Sequence, residues 1–412
     1  MFSHLERPAQ PAPGLRQVLA DIGPRYVANG FIGWVFSATA PVAIILAVGS
    51  GGGLSEAELA SWIFGVFFVN GLTTLLFSWL YRAPLGFAWT IPGTVLVGPA
   101  LAHLRFAEVV GAFYATGLLM LVLGATGWVK RAMQAVPMPL VMGMVAGVFL
   151  RFGLDLVRAL HADAGIAAPM VAVWLLLTAV PALGRRLPPM IGALLVGAAA
   201  IALLGRMDMS GLHAVEIVRP VFQAPVWSLP AMIELVIPLA ITVLVVQNGQ
   251  GFAVLKAARH DPPIDAITVA SGVASIAAAA VGAVSSCLTG PTNGILVSSG
   301  ERARQYTAAL SFGGFAVLFG LLSPSFTRLM LATPKAFIMT LAGLAMLRVL
   351  QGAFVTAFQT RFSLGALVAL LVTVADLGLW NIGAAFWGLV AGFGTSWLLE
   401  RADFQALRAA KV

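Results

Sequence analysis

The chain has 412 residues, of which 60% are hydrophobic and 10% charged, with mean hydropathy +0.96 and a net charge of +8. A soluble domain carries about 25% charged residues, so this chain cannot cover a water-facing surface and reads as a polytopic membrane protein. Its Lys and Arg are spread through short loops, an orientation signal rather than a nucleic-acid surface, and a lone cysteine, Cys287, excludes an internal disulfide framework or paired-thiol site.

Met1 to Pro24 is polar and proline-rich without an apolar cleavable stretch, so no signal peptide is expected. A spanning helix needs about 20 mostly apolar residues. Such runs fall at 26–48, 57–80, 84–102, 107–128, 136–158, 166–183 and 188–204. After a polar loop, 205–229, come 230–255, 264–284, 285–300, 304–322, 334–358, 363–380 and 382–399. The expected fold is all-α, with about 14 transmembrane segments, seven in each half.

The two halves resemble each other. Residues 130–152 align without a gap on 327–349, with Arg131/Arg328, Met133/Met330, Ala135/Ala332, Pro137/Pro334, Met142/Met339, Leu150/Leu347 and Arg151/Arg348 identical. The same offset of 197 superposes Pro41 to Ile44 on Pro238 to Ile241. Chance accounts for matches among Ala, Leu and Met more readily than for Arg and Pro matches at one register. Duplication in so apolar a chain marks a transporter built from repeats.

Basic residues occupy alternate loops: Arg7, Arg16 and Arg25; Arg82; Lys130 and Arg131; Arg185 and Arg186; Lys256 and Arg259; Arg302 and Arg304; Arg361; then Arg401, Arg408 and Lys411. Positive charge stays inside, so both termini are expected in the cytoplasm of a bacterial inner-membrane protein. An odd number of spans per repeat turns the second half upside down, and the repeat is expected to be inverted.

Segments three and ten stand apart. Residues 84–98 and 285–300 are short, polar and interrupted by Gly and Pro, and broken helices at matching places in two inverted halves point to a substrate site. Thr90 and Thr289 can each cap a half-helix, with Pro92 and Pro291 in its first turn. Ile91, Gly93, Gly290, Thr292 and Asn293 complete these starts, and Trp89, Cys287 and Leu288 precede them. Each start presents free N–H groups and the positive end of a helix dipole, which favours a small anion. Two ordinary helices kinked by Pro are the bland alternative.

In segment eight, Gln247 and Asn248 sit in a run of amides and glycines that the first half replaces with Gly49 to Gly53, which favours substrate contact over interhelical hydrogen bonding. Charged residues within spans are Arg151, Asp155, Glu234, Arg348 and Asp376. Arg151 and Asp155, one turn apart, can pair, while Glu234 and Asp376 lie near span ends and can face water. Neither broken segment contains a carboxylate.

AWTIPG (Ala88 to Gly93), VVQNGQGFAVL (Val245 to Leu255) and LTGPTNGIL (Leu288 to Leu296) resemble the benzoate:proton symporter family over nearly the whole chain. The resemblance implies the inverted seven-plus-seven fold shared with nucleobase and sulfate transporters. It implies a core domain (26–128 and 230–322), a gate domain (129–204 and 323–399), tails at 1–25 and 400–412, and an extracytoplasmic loop at 205–229. Nucleobase symporters of this fold carry carboxylates on segments eight and ten, where this chain is uncharged.

The implied function is import of benzoate or a similar aromatic carboxylate by proton symport, with no enzyme activity, no cofactor and no metal. Asp376, Glu234 and Asp155 are the proton-coupling candidates. The expected partners are the carboxylate, protons and lipid, with a homodimer as an admissible assembly and no nucleic acid. Another small anion or a nucleobase is the alternative cargo. A membrane enzyme is a remoter alternative, disfavoured by five dispersed His residues, as is a channel, which would more naturally form a symmetric pore than two broken helices closing one site.

Overall fold

The computed structural model describes residues 5–129, 131, 137–184, 187–207 and 215–409. Of the loop charges used above, Lys130, Arg185, Arg186 and Lys411 lie outside these. A short helix α1 (Leu15–Asp21) leads into α2 (Pro24–Ala38), α3 (Ala40–Gly51) and α4 (Glu56–Tyr81). Strand β1 (Phe87–Trp89) continues into α5 (Ile91–Leu101), followed by α6 (Phe106–Thr126), α7 (Met138–Ala162), α8 (Ala164–Ala179) and α9 (Pro189–Leu203). The second half holds α10 (Leu229–Ala257), α11 (Ile264–Ala279), β2 (Ser286–Leu288) and α12 (Gly290–Val297). It ends with α13 (Tyr306–Leu321), α14 (Ser323–Leu331), α15 (Lys335–Phe358), α16 (Ser363–Ala375), α17 (Ala384–Leu399) and α18 (Arg401–Ala409).

Six of these stretches, with α2 and α3 taken together, are long and apolar enough to cross a membrane, and the bent pair Arg302–Leu321 plus α14 makes a seventh. α5, α8, α9, α11, α16 and α17 are apolar but shorter. The first segment is one apolar stretch, Pro24–Gly51, with a local irregularity at Thr39 (φ −94°, ψ −92°), just ahead of Pro41, whose ring removes a helix donor. Segments three and ten are broken half-helices as expected, but each is entered from a three-residue strand, which corrects the all-α reading. Arg328 lies in α14. Leu72, Leu118, Leu175, Leu371 and Leu398 stay exposed on helix exteriors, as a lipid-facing surface requires.

Apolar helices gain little by burying oil against oil in a bilayer, so association relies on close packing of small residues. The packing also reveals the repeat. A Cβ at Gly71 of α4 would lie 2.9 Å from the Gly313 carbonyl of α13. A Cβ at Gly272 of α11 would lie 2.9 Å from the Gly117 carbonyl of α6. The same helix crossing is thus made twice, once with each half supplying each partner.

The helices fall into two groups. α2 to α6 and α10 to α13 pack around the strands, and α7 to α9 pack with α15 to α17. Loop contacts sort the ends by face. Tyr81, at the end of α4, donates to the Glu6 carbonyl, the Glu6 carboxylate accepts from Asp265 and Ala266 N–H at the start of α11, and Arg304 donates to the Asp21 carbonyl. These ends therefore share the N-terminal face. On the opposite face Arg328 pairs with Glu56 and Glu216, and Gln223 and Val226 bond to Ala280 and Ala107.

The main seam between the groups is α3 on α15, with sparser ones where α5 meets α7 and where the first turns of α10 meet α17. All lie towards the opposite face. Their repeat mates, the end of α10 on α7, α12 on α15, and α2 on α9, make no comparable packing among the described residues. Among the described residues, the two groups therefore pack together towards one face and less towards the other.

Candidate substrate site

Strands β1 and β2 pair antiparallel in the register Phe87↔Leu288, Ala88↔Cys287 and Trp89↔Ser286. Beyond the strands, Thr90 N–H donates to the Ser285 carbonyl (3.0 Å) and Thr289 N–H to the Gly86 carbonyl (3.3 Å). With Thr90 and Thr289 as mates, each of these pairings maps onto another of the set. A two-fold axis therefore passes between Ala88 and Cys287, and antiparallel pairing makes the repeat inverted. Hydroxyls support the strand starts alike: Thr74 Oγ1 accepts from Phe87 N–H and Ser275 Oγ from Ser286 N–H, both at 2.9 Å.

The two half-helices start at this crossing, but they are not finished alike. Thr90 caps α5, its hydroxyl accepting from Gly93 N–H (3.0 Å) and donating to Thr242 Oγ1 (3.0 Å). Thr289 occupies the N-cap position of α12 without a side-chain cap bond, contrary to expectation. Asn293 takes over the bracing there. Its Nδ2 donates to the Gly86 and Thr289 carbonyls (2.9 and 2.6 Å), and its Oδ1 accepts from Gly86 N–H (2.9 Å). The first-turn N–H groups of α12 are left without a hydroxyl cap. Pro92 is buried and its mate Pro291 is exposed, although Thr289, Gly290, Thr292 and Asn293 around it are buried.

Gln247 and Asn248 are buried in a π-helical stretch of α10, Thr242–Asn248; π-bulges recur at functional sites. Asn248 Oδ1 accepts from Leu288 N–H (2.7 Å), fixing α10 to β2. Asn248 Nδ2, Gln247 Oε1, Ser285 Oγ and Trp89 Nε1 are buried without a protein partner. Such groups in a membrane interior call for a ligand or ordered water. Trp89 turns its ring onto Phe67, centroids 5.0 Å apart, and Phe87 onto Phe77, 5.6 Å apart. By strand alternation, Ala88 and the buried Cys287 point to the other face of the pair. Ile91 is half-buried, and Leu288, Gly290 and Thr292 are buried around α12.

Asp155 and Glu234 are placed differently from expectation, while Asp376 is exposed as expected. Asp155 pairs with Arg158 (2.8 Å), and Arg151 approaches Asp376 (3.9 Å) on an exposed surface. Glu234 is 4% exposed and stands 2.9 Å from His103. Sequence reasoning missed Gly86, Thr242, Ser275 and the Ser37–Thr292 hydroxyl contact (3.4 Å). Their one signal was a hydroxyl or glycine in an apolar run. Among the described residues no cluster of His, Cys, Asp and Glu could hold a metal ion.

A family model described as "Benzoate membrane transport protein" matches residues 20–398. The chain belongs to this BenE family. It is 30% identical over 378 residues to the "Inner membrane protein YdcO" of Escherichia coli strain K12, covering 91% of this chain and 95% of that one. It is 28% identical over 370 residues to the "Benzoate membrane transport protein" of Acinetobacter baylyi, covering 88% and 92%. Among solved structures it is similar to the transmembrane domain of the cyanobacterial bicarbonate transporter BicA, with TM-score 0.63, 16% identity, and 90% and 98% of the chains covered. It is also similar to a murine Solute Carrier 26 family anion transporter in the inward-facing state, with TM-score 0.65, 13% identity, and 97% and 74% covered. This family member is a multi-pass membrane transporter, not an enzyme.

Proposed function

We propose that the chain imports benzoate or a similar aromatic carboxylate by proton symport, its two helix groups moving against each other as core and gate. The observation that carries this reading is the start of α12, which has no side-chain cap, beside the unpartnered Asn248 Nδ2 and without a carboxylate of its own. Free N–H groups and a helix dipole attract an anion. A buried amide N–H supplies directional hydrogen bonding, and no fixed negative charge opposes binding. Thr292, Gly290 and Asn293 shape the carboxylate end, while Ala88, Cys287 and Ile91 supply apolar surface for a ring. α5, whose start is capped and buried, closes the site from the other side.

Core and gate correspond to 26–128 with 230–322 and to 129–204 with 323–399. The face bearing Arg7, Arg16, Arg25, Arg82, Arg259 and Arg304 is cytoplasmic by the positive-inside rule, so the less packed face is the inward one. Protonation offsets the anion's charge, which otherwise works against the membrane potential at about 2.3 kcal/mol per 100 mV. Of the coupling candidates, Glu234 is favoured by burial at a seam between the groups, whereas Asp376 is exposed. Proteoliposome uptake of labelled benzoate, uracil and sulfate, with and without a pH gradient at constant sodium, tests this. Benzoate uptake should dominate and collapse with the gradient. Preference for uracil or sulfate would remove the substrate assignment, and gradient-independent uptake would remove proton coupling.

A further inference from the structure

Glu234 lies near the start of α10, in the seam between the helix groups, and a carboxylate this buried has to be paired. One partner belongs to its own group: His103, in the turn between α5 and α6, places Nε2 2.9 Å from Oε2. The other belongs to the second group. Gly383, the N-cap of α17, brings its backbone up against the carboxylate, where its N–H acts on the charge. A Cβ at position 383 would overlap Glu234 Oε1, so a larger residue there displaces the carboxylate. The negative charge also sits at the positive end of the α17 dipole. Among the described residues, His103 is the ionisable group that acts on Glu234.

The repeat supplies a control. At the offset that superposes Pro41 on Pro238, Glu234 falls on Ser37. The Ser37 hydroxyl bonds to the Gly33 carbonyl and contacts Thr292, both within the first helix group. A carboxylate bridge between the groups is therefore present in the packed seam and has no counterpart at the mate position, where the groups pack less.

We propose that Glu234 is a clasp that holds the transporter shut on the face opposite its termini. While ionised it holds His103 and the Gly383 N–H, tying α10 to α17. Once neutralised or displaced it frees α17, and that face opens as the terminal face closes. The clasp rests on reading the chain as an alternating-access carrier, but not on the identity of its substrate.

Hydrogen exchange by mass spectrometry on the full chain in detergent, without substrate, tests the clasp. Glu234→Gln and Gly383→Ala should each raise exchange several-fold at 229–236 and 384–388. Both should also lower it at 250–257 and 291–297, which lie towards the less packed face. Combining the substitutions should add little to either alone, because both break one bridge. Loosening near the substitutions without protection on the far side would overturn the proposal, since that is what a purely structural bond predicts. Gly383→Ala leaves the residues of α10 intact and carries the test by itself if Glu234→Gln does not yield folded protein. Failure of wild-type protein to take up benzoate would count against the substrate reading alone and leave this exchange pattern unaffected.

Discussion

Thr90 and Thr289 are mates in the repeat, yet only Thr90 caps its helix, and one isosteric change separates them. Thr90→Val preserves shape while removing an acceptor from Gly93 N–H and a donor to Thr242. Thr242 still donates to the Leu239 carbonyl (2.8 Å), so the main loss falls on the buried Gly93 N–H. A lost cap costs about 0.5–2 kcal/mol, and a buried donor left unpaired costs about 1–3 kcal/mol. Both figures describe largely the same N–H and should not be added, so Thr90→Val should cost roughly 1–3 kcal/mol. Thr289→Val breaks no cap bond and should stay within about 0.5 kcal/mol. Denaturant titration in mixed micelles, without substrate, measures both. Equal costs for the two variants, or a neutral Thr90→Val, would refute the asymmetric capping.

Asn293→Asp should destabilise the substrate-free protein by roughly 1–3 kcal/mol, because a carboxylate cannot make the two bonds that Nδ2 donates; unchanged unfolding with weakened benzoate binding would instead make Asn293 a substrate ligand alone. His260 is buried in the turn after α10, its Nε2 2.7 Å from Gln305 Oε1, and burial lowers its pKa below the ordinary 6.5, with Arg302 adding to the effect. The unfolded chain then binds the proton more readily than the folded one, so stability should fall as pH drops below about 6.5; His260→Gln should flatten that part of a melting-temperature profile. Arg328 pairs with Glu56 and Glu216 on a water-facing surface, so Arg328→Ala should leave the same titration nearly unchanged, and a clear loss would mean the triad holds the loop rather than decorating it.

Much of this architecture was legible because apolar length and Gly-Pro punctuation are written locally. Segments three and ten declared themselves through Pro92 and Pro291, and Thr90 was read correctly as a cap. The strand pairing of Phe87–Trp89 with Ser286–Leu288 was not legible. Its hydrogen bonds join residues some 200 positions apart, and each three-residue strand is too short to show a period. Thr289 looked like a cap for the same local reason as Thr90, but bracing by Asn293 across to Gly86 is a tertiary fact. Glu234 was misjudged because its place near a span end suggests water, whereas α17 folds over it. Asp155 likewise chose Arg158 over Arg151, both being one turn away.

The symmetric and asymmetric features divide the work. The Ala88–Cys287 crossing, the Gly71–Gly313 and Gly272–Gly117 contacts and the hydroxyls of Thr74 and Ser275 each obey the two-fold axis. They therefore belong to a frame that need not change when the faces exchange. The seams between the groups break that symmetry: α3 packs on α15, while the end of α10 makes no comparable packing on α7 among the described residues. An inverted repeat makes the second arrangement available to the same backbone, so the two states differ mainly where the sequences of the mates differ. Glu234 against Ser37, and the capped Thr90 against the uncapped Thr289, are two such differences. Each is worth a few kcal/mol at most, the scale on which a two-state equilibrium keeps its minor form populated. A proton or an anion acting at either place is then strong enough to shift the balance.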